Sequence, residues 1–141
     1  MKTHQFLREI PAGLVPAEAL CLSLREFLSG LISPAERFET ELVCREVLVN
    51  AIEHGCRLDA SKTVVFRLAV DEGLLSCRIE DNGTESYQMP VGQAGQGRCD
   101  EFDPKEGGNG MRLIECYTDR FAFLDEGRAV FFEKRLGKRS S

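Results

Sequence analysis

The chain has 141 residues, 43% of them apolar and 29% charged, with a formal net charge of −5. That is the balance of one soluble globular domain long enough to bury a core. An acidic chain is poorly suited to nucleic acid, whose binding leans on Lys and Arg, and no run approaches the ~20 apolar residues of a membrane span.

Six cysteines (Cys21, Cys44, Cys56, Cys77, Cys99 and Cys116) form no CxxC pair, and most lie inside apolar patterns. They read as buried free thiols of a reducing compartment. With only His4 and His54 as imidazoles, a structural zinc site is not expected. The N-terminus has no basic-then-apolar leader pattern. The expected location is the cytoplasm. The basic end, Lys134-Arg135 and Lys138-Arg139, reads as a solvated tail.

In chain order, His4 to Ile10 is a candidate strand ended by Pro11. A helix starts from Pro16, with Leu20, Leu24, Phe27 and Leu28 as its apolar stripe and Gly30 closing it. Ser33-Pro34-Ala35-Glu36 has the form of a capping box with proline in the first turn. The helix it opens is expected to run to about His54, capped by Gly55. On its wheel Glu46, Asn50, Glu53 and Arg57 share one narrow stripe among apolar neighbours. A carboxylate and an amide left unpaired there would cost several kcal/mol. They need water, a salt bridge, or a ligand and its metal. A partly exposed helix edge explains the pair as well as a site does.

Thr63 to Val70 alternates apolar and polar, Asp71-Glu72-Gly73 turns the chain, and Leu74 to Glu80 is the partner strand. Asp81-Asn82-Gly83 then stands at a strand end. It reads as an ordinary turn, or as a carboxylate in a pocket wall beside a glycine that lets a flat ring approach. From Thr84 to Glu106 no period holds; a loop this long in a compact domain is usually functional or disordered. Gly107-Gly108-Asn109-Gly110 opens a short helix. Exposed backbone N–H groups at such a start suit phosphate, although many glycine clusters are plain linkers. Phe121 to Leu124 and Ala129 to Phe132 form a closing hairpin. The whole is expected to be one α+β domain over residues 1–141. Its architecture is a two-layer sandwich: a mixed, mostly antiparallel sheet with helices on one face.

In order and spacing these elements resemble the GHKL ATPase/kinase superfamily, and within it the anti-sigma-factor serine kinases of the RsbW type. Glu46-x-x-x-Asn50-Ala51-x-x-His54-Gly55 is similar to the N box. Asp81-x-Gly83 is similar to the first glycine box, and Glu106 to Ile114 to the second. The resemblance spans about residues 5–136 and implies the Bergerat ATP-binding fold, with residues 84–106 as the ATP lid. No P-loop is present, so a nucleotide site would be of this other kind.

By the same resemblance Asn50 would hold a Mg²⁺ that bridges the ATP phosphates, and Glu46 would be the general base. Asp81 would read the adenine amino group, Gly83 would admit the ring, and Gly108, Gly110 and Met111 would line the nucleotide. Glu85 occupies the position where many relatives have a second glycine; Arg98 and Lys105 are candidate phosphate contacts, although solvated loop charges are the preferred reading for each. The implied activity is an ATP-dependent protein serine/threonine kinase acting as an anti-sigma factor. Its implied partners are a STAS-type anti-sigma factor antagonist, which it phosphorylates, a sigma factor, and a second copy of itself. The alternative is a non-catalytic ATP-binding module that holds a partner protein. A histidine-kinase catalytic domain is less expected, because little chain precedes the first helix.

Overall fold

A computed structural model of the chain describes residues 3–83, 110–125 and 128–137. Five strands form one antiparallel sheet: β1 (His4–Pro11), β2 (Thr63–Asp71), β3 (Leu74–Asp81), β4 (Arg120–Leu124) and β5 (Ala129–Arg135), in the order β1-β2-β3-β5-β4. The helices are α1 (Leu14–Leu28), α2 (Pro34–Asn50) and α3 (Gly110–Tyr117), with a π-helical segment, Ala51–Gly55, extending α2. This is the expected α+β architecture. Every pairing among the described strands is antiparallel, so the sheet is not mixed.

The alternation in β2 sorts the sheet into two faces. Val64, Phe66, Leu68 and Val70 are buried, and the register sets Phe66 opposite Ile79 and Leu68 opposite Cys77. Cys77 and Ile79 in turn sit opposite Phe132 and Val130. Together with Leu24, Leu28, Val47, Leu48 and Ile52 from the helical layer, these side chains make one core. The two-residue turn Glu72-Gly73 has positive φ at both positions (46° and 82°), the backbone that matches the twist of a tight hairpin.

Helix α2 begins as its sequence dictates. The Glu36 N–H donates to Ser33 Oγ and the Ser33 N–H donates to Glu36 Oε1, both at 3.1 Å. Thr40, Val43, Cys44, Val47 and Leu48 then form the buried stripe at helical spacing.

Its end departs from expectation. The α-helix stops at Asn50, and the Cys56 N–H reaches back five residues to the Ala51 carbonyl at 2.9 Å. Gly55 is not a left-handed cap; positive φ occurs at Arg57 (52°) and Leu58 (59°) instead. The wider π turn rotates the residues after Asn50, so the stripe drawn with α-helical spacing does not persist. Glu53 leaves the Glu46–Asn50 side and lines the cleft between α1 and α2 with Ala17, Glu18 and Cys21.

Two further expectations change. Cys21, Cys44, Cys56 and Cys77 are buried free thiols, but Cys116 on α3 is disulfide-bonded. Cys99 lies outside the described residues. Lys134 and Arg135 are not a tail. They belong to β5, and strand alternation points Lys134 inward opposite Leu75. Its ammonium donates to Glu39 Oε1 at 2.7 Å and to the Tyr117 carbonyl at 2.9 Å, which ties β5 to α2 and α3. Among the described residues no helix is long and apolar enough to cross a membrane.

Candidate nucleotide site

The site is built from the last turns of α2 outward. Val47 and Leu48 are fully packed beneath the helix, which leaves Glu46 and Asn50 half-buried on its other side. Asn50 Nδ2 donates to Glu46 Oε2 at 3.2 Å. Only this orientation of the amide bonds to a carboxylate; the reverse would set oxygen against oxygen. The Asn50 carbonyl oxygen is therefore free of the pair. It is a hard, neutral ligand of the kind magnesium takes.

The π segment carries the chain from that pair to the end of β3. There the Asp81 N–H donates to the Arg128 carbonyl at 2.9 Å, continuing the β3–β5 ladder by one step. Asp81 Oδ1 accepts from the Gly83 N–H at 2.8 Å, closing a tight turn. Asn82 fastens that turn to β2: its Oδ1 accepts from the Thr63 N–H at 2.8 Å, and its own N–H donates to the Thr63 carbonyl at 3.2 Å.

Gly55 and Gly83 then meet. A Cβ on Gly83 would lie 2.0 Å from the Gly55 carbonyl oxygen, and a Cβ on Gly55 would lie 2.6 Å from Asp81 Oδ2. A side chain at Gly83 would displace the Gly55 backbone, and one at Gly55 would push the Asp81 carboxylate aside. The contact joins the end of the Glu46–Asn50 helix to the Asp81 turn. Burial pushes the Asp81 carboxyl above its ordinary value, against the opposing pull of the Gly83 N–H and the Arg128 charge. Burial likewise pushes the neighbouring Cys56 thiol up to about 11, so it is not a nucleophile at neutral pH.

The residues expected at the site thus fall into two groups joined by the π segment: Glu46 with Asn50, and Asp81 with Gly83. Gly110 and Met111 lie in the first turn of α3, whose Leu113 and Ile114 anchor it in the core. Gly108 lies outside the described residues, as do the 84–106 segment with Glu85, Arg98 and Lys105. Two cavities, of about 330 Å³ over the open sheet face and 240 Å³ between α1 and α2, include none of Glu46, Asn50 or Asp81. The chemistry-bearing groups are the better guide to a site. Sequence reasoning missed the Gly55 contact and Arg128, which sits beside Asp81 only once β5 is known to pair with β3.

Among the described residues no three His, Cys, Asp or Glu side chains converge on a metal position.

The family model for the histidine kinase-like ATPase domain matches residues 10–134. Serine-protein kinase RsbW of Listeria monocytogenes (strain EGD-e) is 28% identical over 136 residues, covering 89% of this chain and 86% of that protein. The RsbW of Listeria innocua aligns equally well. Anti-sigma F factor of Clostridium perfringens is 23% identical over 124 residues, covering 82% and 84%. A match that runs from β1 to β5, on a chain with this fold, shows that the protein belongs to the histidine kinase-like ATPase domain family.

Proposed function

We propose that this protein is an ATP-dependent protein serine/threonine kinase of the anti-sigma-factor type, acting on a small STAS-type antagonist. The observation that carries this reading is the Glu46–Asn50 pair: a half-buried carboxylate hydrogen-bonded to a half-buried amide, one helical turn apart and beside the buried Val47 and Leu48. In this reading Asp81 accepts a hydrogen bond from the adenine amino group. Gly83, Gly108, Gly110 and Met111 line the nucleotide. Asn50 offers its carbonyl oxygen to the cation, and bound Mg²⁺ would neutralise charge on the phosphates.

Glu46 takes the proton from the attacking serine hydroxyl. The serine oxygen bonds to the γ-phosphorus as the bond from that phosphorus to the bridging oxygen breaks, and ADP leaves. The Asn50 amide holds the Glu46 carboxylate in one orientation, so base and metal ligand stand four residues apart on one helix face. The names of the relatives, serine-protein kinase and anti-sigma F factor, support the same assignment. A sigma factor as the held partner and a homodimer complete the proposal.

The test is incubation with Mg-ATP and a co-encoded antagonist, with phosphoserine scored by intact mass. Wild-type protein is expected to transfer phosphate, and Glu46→Ala to bind ATP without transferring it. Wild-type protein that binds ATP and phosphorylates no antagonist would make this a non-catalytic ATP-dependent binding module instead.

A further inference from the structure

The base-reading end of the site contains a cation that the motifs leave unused. Glu80 pairs with Ala129, so the next step of the ladder sets Asp81 opposite Arg128, and the Asp81 N–H donates to the Arg128 carbonyl at 2.9 Å. Strand alternation places both side chains on the helix-facing side, with Ile79 and Val130. Directly opposite residues hold their Cβ atoms about 5 Å apart, close enough for joint contact with one ligand.

The two residues do not consume each other. Asp81 spends one carboxylate oxygen on the Gly83 N–H, and among the described residues no ion pair between Asp81 and Arg128 forms. Arg128 Nε is shielded from solvent and has no hydrogen-bond partner. A buried guanidinium N–H without an acceptor is costly, so its retention beside the site asks for an acceptor supplied from outside.

Asp81 and Arg128 therefore present an acceptor next to a donor on one wall. The amino-bearing edge of adenine presents the complement: a donor amino group flanked by ring nitrogens N1 and N7, both acceptors. We propose that Arg128 is a specificity-determining residue for the nucleotide, donating to a ring nitrogen beside the amino group that Asp81 accepts. This rests on the ATP-site reading above. It adds a direct contact to the base from the residue that leads into β5.

The test is a cycle between protein and ligand. Affinities for ATP, 7-deaza-ATP and 1-deaza-ATP are measured by calorimetry on wild-type protein, Arg128→Met and Arg128→Lys, with thermal melts on each. A hydrogen bond to a charged donor corresponds to about tenfold or more in affinity. Wild-type protein is expected to bind one deaza analogue about tenfold or more weakly than ATP. Arg128→Met is expected to bind ATP and that analogue alike, and Arg128→Lys to recover part of the preference.

A merely structural Arg128 would lower all three affinities together and leave their ratios unchanged, which overturns the proposal. Equal wild-type affinity for ATP and both analogues overturns it as well. Failure of wild-type protein to bind ATP at all removes the nucleotide-site reading itself, a different outcome from either. If Arg128→Met does not fold, the ratios in wild-type protein and Arg128→Lys decide the matter.

Discussion

Gly83→Ala isolates the contact on which the site rests. The added methyl would sit 2.0 Å from the Gly55 carbonyl oxygen and 2.5 Å from its carbon, both backbone atoms that no rotamer change can move. Reaching a tolerable 3.0 Å requires the two segments to part by about 1 Å. Overpacking of this kind costs about 1–3 kcal/mol, partly offset by about 0.5 kcal/mol from the stiffer unfolded chain. A net loss near 2 kcal/mol lowers the melting temperature by roughly 6–10 °C for a domain of this size.

The same displacement pulls the Gly83 N–H off Asp81 Oδ1 and moves the carboxylate relative to α2. ATP affinity should fall about tenfold, and phosphate transfer by about 10²-fold, the usual cost of a 1 Å misplacement. Gly73→Ala is the control. Its φ of 82° makes a side chain strained but its surroundings are open, so it should lose about 1 kcal/mol and no nucleotide affinity. Differential scanning fluorimetry and calorimetric ATP titration on both variants read the outcome. If Gly83→Ala melts and binds ATP as wild-type protein does, the close contact between the two glycines does not organise the site.

Substitutions at three further positions separate charge from packing. Asp81→Asn keeps an acceptor for the Gly83 N–H but removes a charge whose burial raises the carboxyl above 3.8. A raised folded value means the native state binds that proton more tightly, so the residue costs stability as pH climbs through the raised value. Asp81→Asn should therefore melt at or above wild type at pH 7 and lose the difference in acid, while ATP titration shows weakened binding. Lys134→Ala should lose about 2 kcal/mol in urea unfolding with an unchanged slope, because it strips donors from Glu39 and the Tyr117 carbonyl; Lys134→Met should lose less. At Glu36 burial raises the carboxyl, but hydrogen bonds from the Gly137 N–H and from Ser33 outweigh it and the net shift is downward. Its stabilising share is present above pH 4.5 and fades as pH drops through the lowered value, so Glu36→Gln should flatten the acid limb of a melting-temperature profile.

The features legible in the sequence are those that short-range chemistry decides. Ser33 and Glu36 are three residues apart, and their capping box forms as the spacing dictates. Glu72-Gly73 takes the backbone that a two-residue loop between twisted strands favours. The Glu46–Asn50 pair is also local, one helical turn apart. Lys134 is illegible by the same logic, because its burial depends on which strand it joins and on a carbonyl from α3, neither visible in a basic dipeptide near the end. Arg128 is hidden for the same reason: it becomes a neighbour of Asp81 only through the β3–β5 pairing, 47 residues away in sequence.

The π segment is the instructive departure. A strictly α-helical continuation would have kept Glu53 on the Glu46–Asn50 side, where a second carboxylate would crowd the pair. The wider turn sends Glu53 toward α1, buries Ile52 completely, and lays Gly55 flat against Asp81 and Gly83. Two motifs separated by a strand hairpin are thereby set in van der Waals contact, with glycine required on both sides. That requirement explains why the helix motif ends in glycine although Gly55 adopts no glycine-only backbone conformation. Its lack of a side chain, rather than its freedom of φ, is the property the site uses.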